Sequence, residues 1–199
     1  KYEGGWRNNL FYGKGLYTYS DGDIYDGEWI DGRYNGKGKF STLNGEEYVG
    51  MWVNSKREGQ GILSDLNNEK YIGQWVSDLR NGDGSQTYSS GDKYEGHWLE
   101  NKKHGLGIMV YTNGNVYDGK WHKGLRHGSG DYTYINGDIY SGKWESSQKN
   151  GKGTMNYVNG DKYDGDWTEN RIQGMGVFYF SDGTYYDGEW INGKRNGRG

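Results

Sequence analysis

The stretch DGDIYDGEWIDGRYNGKG, residues 21–38, sets Tyr25, Gly27 and Trp29 two residues apart and follows them with Gly36 and Gly38. The same phrase recurs along the whole chain. Tyr2, Tyr25, Tyr48, Tyr71, Tyr94, Tyr117, Tyr140, Tyr163 and Tyr186 are each 23 residues apart, and a tryptophan stands four residues after each. These nine are all the tryptophans of the chain. With the tyrosine as repeat position 0, glycine fills positions 2, 11 and 13 in all nine units and position 20 in seven of eight, Asn68 being the exception. A fixed period of this length is the signature of a repeat architecture. No insertion interrupts it, so residues 1–199 read as one array with units starting at 2, 25, 48, 71, 94, 117, 140, 163 and 186. The last unit is partial, and the chain starts and stops inside a unit, which predicts a segment of a longer protein.

Positions 0, 2 and 4 follow the period of one strand face, and positions 11, 13, 15 and 17 do the same. Each unit therefore reads as two strands, with an aromatic-and-glycine face and a mostly polar back. Parity constrains the turns, since a shared face requires an even first turn and an odd second one. A four-residue first turn at positions 6–9 is expected, and it sets Trp29 opposite Gly36. A three-residue second loop ending in left-handed glycine suits "SDG", "TNG" and "ING" at residues 20–22, 112–114 and 135–137. Across it Phe40 should face Tyr48, Gly38 should face Gly50, and Gly36 should face Trp52. Tryptophan then lies between glycines on neighbouring strands, where missing side chains leave room for an indole. A lone hairpin is marginal, so stability must come from stacked neighbours. The expected fold is all-β: an elongated single-layer antiparallel meander of about nine hairpin repeats, twisted into a gutter-like solenoid with its aromatics inside.

Composition agrees. The 199 residues include 38 glycines and 20 tyrosines but no proline, cysteine or alanine. The best helix former is absent while glycine abounds, and the aromatic content argues against disorder. A net charge of −3 gives no general drive toward nucleic acid. Lack of cysteine excludes a disulfide frame, and no apolar run approaches the length of a membrane-spanning helix.

The pattern "YDGEW…GKG" resembles the MORN (membrane occupation and recognition nexus) repeat, Y-x-G-x-W-x-x-G-x-x-x-G-x-G. All nine units match at Tyr, Gly, Trp and both later glycines, whereas the first inner glycine is kept only at Gly32, Gly124 and Gly193. Elsewhere it is Asn, Ser or Asp, all tolerant of turns. The resemblance implies an elongated sheet of hairpins acting as a scaffold at cytoskeleton, cilium or membrane cortex, in the cytoplasm. Some members carry the array beside a catalytic domain such as a SET methyltransferase or a lipid kinase. In one branch the groove accepts a motor-protein tail peptide.

Candidate sites follow from the faces. The Gly-x-Gly pairs open no helix and do not extend to a phosphate-binding fingerprint, and the acidic turns lack the spacing of a calcium loop. His104 and His127 occupy equivalent positions roughly 10 Å apart, with His97 and His122 on the back face nearby. That separation is too wide to share zinc without a symmetry partner. No catalytic residue, metal or cofactor is expected, so the segment reads as a non-catalytic scaffold for a helical or extended protein segment. The groove candidates are Tyr71, Trp75, Tyr94, Trp98, Tyr117, Trp121, Tyr140, Trp144, Tyr111 and Tyr134. On the back, Val49, Met51, Val53, Ile62, Ile72, Val76, Leu99, Leu106, Ile108 and Val110 form an apolar interface candidate. Cations along the first-turn edge, with Lys102, Lys103, Arg126 and Lys149 foremost, suggest contact with an anionic lipid surface. Free sheet edges also suggest a homodimer. The alternative readings are a lipid-apposed module or the targeting region of an enzyme whose catalytic domain lies elsewhere. The groove lining breaks at Thr42, Asp65, Asn68 and Gln86, which predicts a kink or a specificity site there.

Overall fold

The computed structural model describes residues 1–198. Gly199, which would supply the position-13 glycine of the last unit, lies outside the described residues. The chain divides into two compact units, Lys1–Lys102 and Lys103–Gly199. In the first, the strands are β1 (Tyr2–Arg7), β2 (Leu10–Thr18), β3 (Ile24–Ile30), β4 (Arg33–Ser41), β5 (Glu47–Val53), β6 (Lys56–Ser64), β7 (Lys70–Val76), β8 (Leu79–Thr87) and β9 (Lys93–Leu99). The run continues with β10 (Lys102–Val110), β11 (Val116–His122), β12 (Leu125–Thr133), β13 (Ile139–Glu145), β14 (Gln148–Asn156), β15 (Lys162–Thr168), β16 (Arg171–Tyr179), β17 (Tyr185–Ile191) and β18 (Lys194–Asn196). Within each unit every strand pairs antiparallel with its chain neighbours, and the described residues contain no helix.

The second turn is as expected. The Tyr19 N–H donates to Asp23 O at 2.9 Å and the Gly22 N–H donates to Tyr19 O at 3.2 Å, enclosing Ser20, Asp21 and Gly22, the last at φ 97°. Phe40 faces Tyr48, Gly38 faces Gly50 and Gly36 faces Trp52.

The first turn differs from expectation. Ile30 pairs with Arg33, so the loop holds only Asp31 and Gly32, at φ 48° and 76°. Positive φ at both central residues is the type I′ pattern, whose twist matches the flanking strands. Two further residues are taken up in β4, where the register slips between Gly27↔Gly38 and Trp29↔Tyr34. Gly36 sits in that bulge at φ 69°. A slip of two preserves side-chain parity, which is why spacing alone admitted either turn.

The slip changes what the glycines do. A side chain added at Gly27 or Gly38 would strike the Tyr25 ring, and at Gly119 or Gly130 the Tyr117 ring. Tyrosine, rather than tryptophan, lies over the glycine pair. It curls along the strand until its hydroxyl donates to the carbonyl three residues on, as Tyr117 does to Lys120 O at 2.8 Å. Tryptophan stands edge-on between two tyrosines: Trp144 is 5.2 Å from Tyr140 and 5.4 Å from Tyr117, at interplanar angles of 90° and 82°. Such T-shaped pairs add about 0.5–1.5 kcal/mol each beyond their burial. The Trp144 indole N–H donates to Gly130 O at 2.9 Å, and the same bond recurs at Trp29, Trp121, Trp167 and Trp190. These interlocked rings form the core of a single-layer sheet.

Candidate functional site

The turns lock each repeat to the previous one. At position 7, where the repeat pattern carries Asn, Ser or Asp instead of glycine, the side chain accepts a backbone N–H from position 9 of the preceding repeat. Lys149 N–H donates to Asn170 Oδ1 at 2.9 Å, Arg126 N–H to Ser147 Oγ at 3.1 Å, and Arg57 N–H to Asp78 Oδ1 at 2.9 Å. The return bond runs from the Asn170 N–H to Lys149 O at 3.0 Å. At the second turn Asp138 and Asp161 accept the backbone N–H groups of Val158 and Ser181 at 2.9 and 2.8 Å. The acidic edge is therefore a row of clamps as well as a charged rim.

Position 9 is where the rim reading fails. Because the first turn is short, position 9 pairs with tryptophan on the front face instead of standing in a loop. Arg57, Arg80, Lys103, Arg126 and Lys149 each lie over the indole of the next repeat, at 4.3, 4.7, 4.2, 4.4 and 4.4 Å from its centre. Phe11 and Tyr34 hold the same position in the first two repeats. Of the lipid candidates, only Lys102 remains exposed; Lys103, Arg126 and Lys149 point into the aromatic face. Lys149 is buried, and loss of water, with Arg126 nearby, pulls its ammonium down to about 8. Its Nζ donates to the Tyr134 hydroxyl at 3.2 Å. Burial also lowers the Arg80 guanidinium, which donates to Gln86 Oε1 at 2.9 Å.

The groove candidates separate into two sets. Tyr71, Trp75, Tyr94, Trp98, Tyr117, Trp121, Tyr140 and Trp144 are buried, so they build the core and present no open ring face as placed. Desolvation pushes their tyrosine hydroxyls up, Tyr71 to about 12. Tyr111 and Tyr134 are half-buried and belong to an outer row. In the second unit that row runs Tyr111, Tyr132 and Tyr134, with ring centres 6.2 and 4.7 Å apart. It resumes at Tyr157, Phe178 and Phe180, separated by 5.9 and 4.8 Å. Tyr132, Tyr157, Phe178 and Phe180 were not singled out from the sequence, although positions 15 and 17 carried the signal: same-face aromatics lying beyond the tyrosine–tryptophan pair. A hollow of about 440 Å³ opens beside this row between Asp138, Tyr157, Asp161 and Phe178.

The interrupted lining of the first unit also has a structural counterpart. Leu63, Asp65 and Gln86 replace aromatics around a cleft of about 380 Å³, with Arg57, Arg80, Glu69 and Asp78 on its walls. Asp65 accepts the Asn67 and Glu69 N–H groups at 2.8 and 2.9 Å, which ties the turn around Asn68.

On the back face, Val49, Val53, Ile62, Ile72, Val76, Leu99, Leu106, Ile108 and Val110 are exposed and Met51 is half-buried. Val49 pairs with Ile62, and Ile62 with Ile72, in one cross-strand row. His97 lies beside Asp83 at 3.1 Å in the first unit. In the second, His122 stands between His104 and His127, with ring centres 5.3 and 5.6 Å away. The two outer imidazoles thus have a bridging neighbour that the 10 Å spacing alone did not reveal.

Among solved structures, the SAS-4 (dCPAP) TCP domain of Drosophila melanogaster in complex with a proline-rich motif of Ana2 (dSTIL) is 13% identical, with 87% of this chain and 88% of that one covered and a TM-score of 0.47. The TCP10c domain of Drosophila melanogaster Sas-4 is 11% identical over 87% and 96%, with a TM-score of 0.43. The TCP10 domain of Danio rerio CPAP is 10% identical over 87% and 82%, at 0.32. No curated protein matches in sequence. The MORN repeat model matches at residues 2–24, 25–46, 48–67, 71–93, 94–116, 117–139, 140–162, 163–185 and 186–199. With the tyrosine–glycine–tryptophan interlock repeated through both units and a match in every repeat, the chain belongs to the MORN repeat family.

Proposed function

We propose that this array is a non-catalytic protein-interaction scaffold that takes a helical or extended protein segment along its front face. One observation carries the reading. The invariant aromatics are spent on the core, yet the second unit keeps a further row, Tyr111, Tyr132, Tyr134, Tyr157, Phe178 and Phe180, half open to solvent. Aromatic rings held by their neighbours are favourable anchors for a partner chain. A laterally bound segment would cross successive strands and meet one outer ring after another. Membership of the family supports a place at cytoskeleton, cilium or membrane cortex. A role as the targeting part of a larger enzyme is compatible with the same surface.

The test is the double variant Tyr157→Ser, Phe180→Ser, whose far-ultraviolet spectrum and melting should stay close to the parent's because the core rings and the Tyr134 partner of Lys149 are untouched. Proteins captured by the parent from cell extract should be lost by the folded variant. Capture that persists undiminished would refute the front-face reading.

A further inference from the structure

We propose that His122, together with His104 or His127, forms a binding site for an imidazole-preferring divalent transition metal ion on the back face of the second unit. The chain has four histidines, and three of them meet here, on β10, β11 and β12. His104 and His122 sit at facing ends of neighbouring strands, one step beyond the Gly105↔Trp121 pair. His127 approaches His122 from the other side, beyond the turn that joins β11 to β12. All three are on the face opposite the tryptophans.

The spacing is what two ligands of one ion require. With metal–nitrogen bonds of about 2.1 Å and a tetrahedral angle, two coordinated imidazoles have ring centres about 5.2 Å apart. The observed separations are 5.3 Å for His104–His122 and 5.6 Å for His122–His127. The rings are tilted by 55° and 47°, and parallel stacking is not what holds them. No three such groups among the described residues already converge on one point, so the ion takes His122 and one neighbour, and water completes its shell. His122 and His127 are exposed and His104 half-buried, so rotation about χ1 and χ2 is open to them. Neutral imidazole suits zinc, copper and nickel, whereas magnesium and calcium prefer oxygen. The Lys123 ammonium beside the cluster weakens attraction for a cation and sets a second lever. A bound ion ties β11 to one of its two neighbouring strands at the first-turn edge, away from the front face.

The experiment is calorimetric titration of the untagged full chain with Zn²⁺, and with Ni²⁺ in parallel, at neutral pH. One site is expected, with no heat from Mg²⁺. His122→Gln should weaken it at least about tenfold, since it removes the ligand common to both pairings. His104→Gln and His127→Gln should each have a smaller effect, while the double variant matches His122→Gln. His97→Gln, in the other unit, should change nothing. Lys123→Gln should tighten binding severalfold. Zn²⁺ should raise the melting midpoint of the parent and not of His122→Gln, since a ligand held only by the native state stabilises it. These back-face substitutions leave the aromatic core intact, and the metal-free melts check that. Equal affinity in the parent and His122→Gln, or no binding by the parent, overturns the proposal.

Discussion

Gly130 faces Gly119 and Gly142 on the flanking strands, and a β-carbon there would come within 2.5 to 2.7 Å of the Tyr117 ring. That ring is fully buried and cannot swing aside. Gly130→Ala should therefore cost about 2–3 kcal/mol by overpacking, read from the shift in denaturant midpoint. Gly124→Ala is the contrasting case. Its φ of 88° strains an alanine, but nothing lies within 4 Å of the added carbon. It should lose only about 1 kcal/mol. Lys149 is a second residue whose effect has a definite sign. Its ammonium falls from an ordinary 10.5 to about 8. Between those values the unfolded chain holds a proton that the native lysine has released, so this group's contribution to stability rises with pH across the window. Below pH 8 the cost of the buried charge is complete. Lys149→Met should be more stable than the parent at pH 7, and the advantage should shrink between pH 8 and 10. Thermal melts of both proteins across that range check it, and an advantage that grows with pH would show that the stack on Trp167 outweighs desolvation.

At the scale of the hairpin, stability rests on the tight turn and its clamp. Asn170 sits at φ 68° and accepts the Lys149 N–H through its side chain. Asn170→Ala removes the acceptor and leaves a left-handed alanine, a loss of about 2 kcal/mol. Asn170→Gly removes the acceptor but relaxes the backbone, so it should lie within about 1 kcal/mol of the parent. Equal losses for the two would mean that the clamp, and not the turn conformation, dominates. The absence of glycine at position 7 in most repeats has its reason here: Asp, Asn and Ser exchange conformational ease for a bond to the neighbouring repeat.

At the scale of the whole molecule, the period is the unit of folding. Within each unit a tryptophan such as Trp52 or Trp144 pairs with the tyrosines of its own and the preceding repeat, so removing a whole period rejoins equivalent surfaces. Deleting residues 117–139 should give a folded protein with an unchanged per-residue strand signal in circular dichroism and a single, slightly lower unfolding transition. Deleting residues 117–127 alone reverses the strand direction after the junction and should abolish cooperative unfolding. A cooperative melt from the second deletion would show that the repeats fold without their interlock.

The Tyr–Gly–Trp spacing by itself determined the strands, their faces, the second turn and the register between repeats, because side-chain alternation and left-handed glycine leave few solutions. It left the first turn open, since loops of two and four residues share the same parity. Tertiary packing chose the shorter loop, whose twist suits the sheet, and placed the surplus in a bulge at Gly36 and its equivalents. That choice carried Arg126 and Lys149 from the expected rim onto the tryptophans and laid tyrosine rather than indole over the glycines, and away from the chain's ends the aromatics at positions 0 and 4 are buried. The outer row and the meeting of His104, His122 and His127 also belong to the folded state, because each depends on side chains that share a surface without sharing a strand.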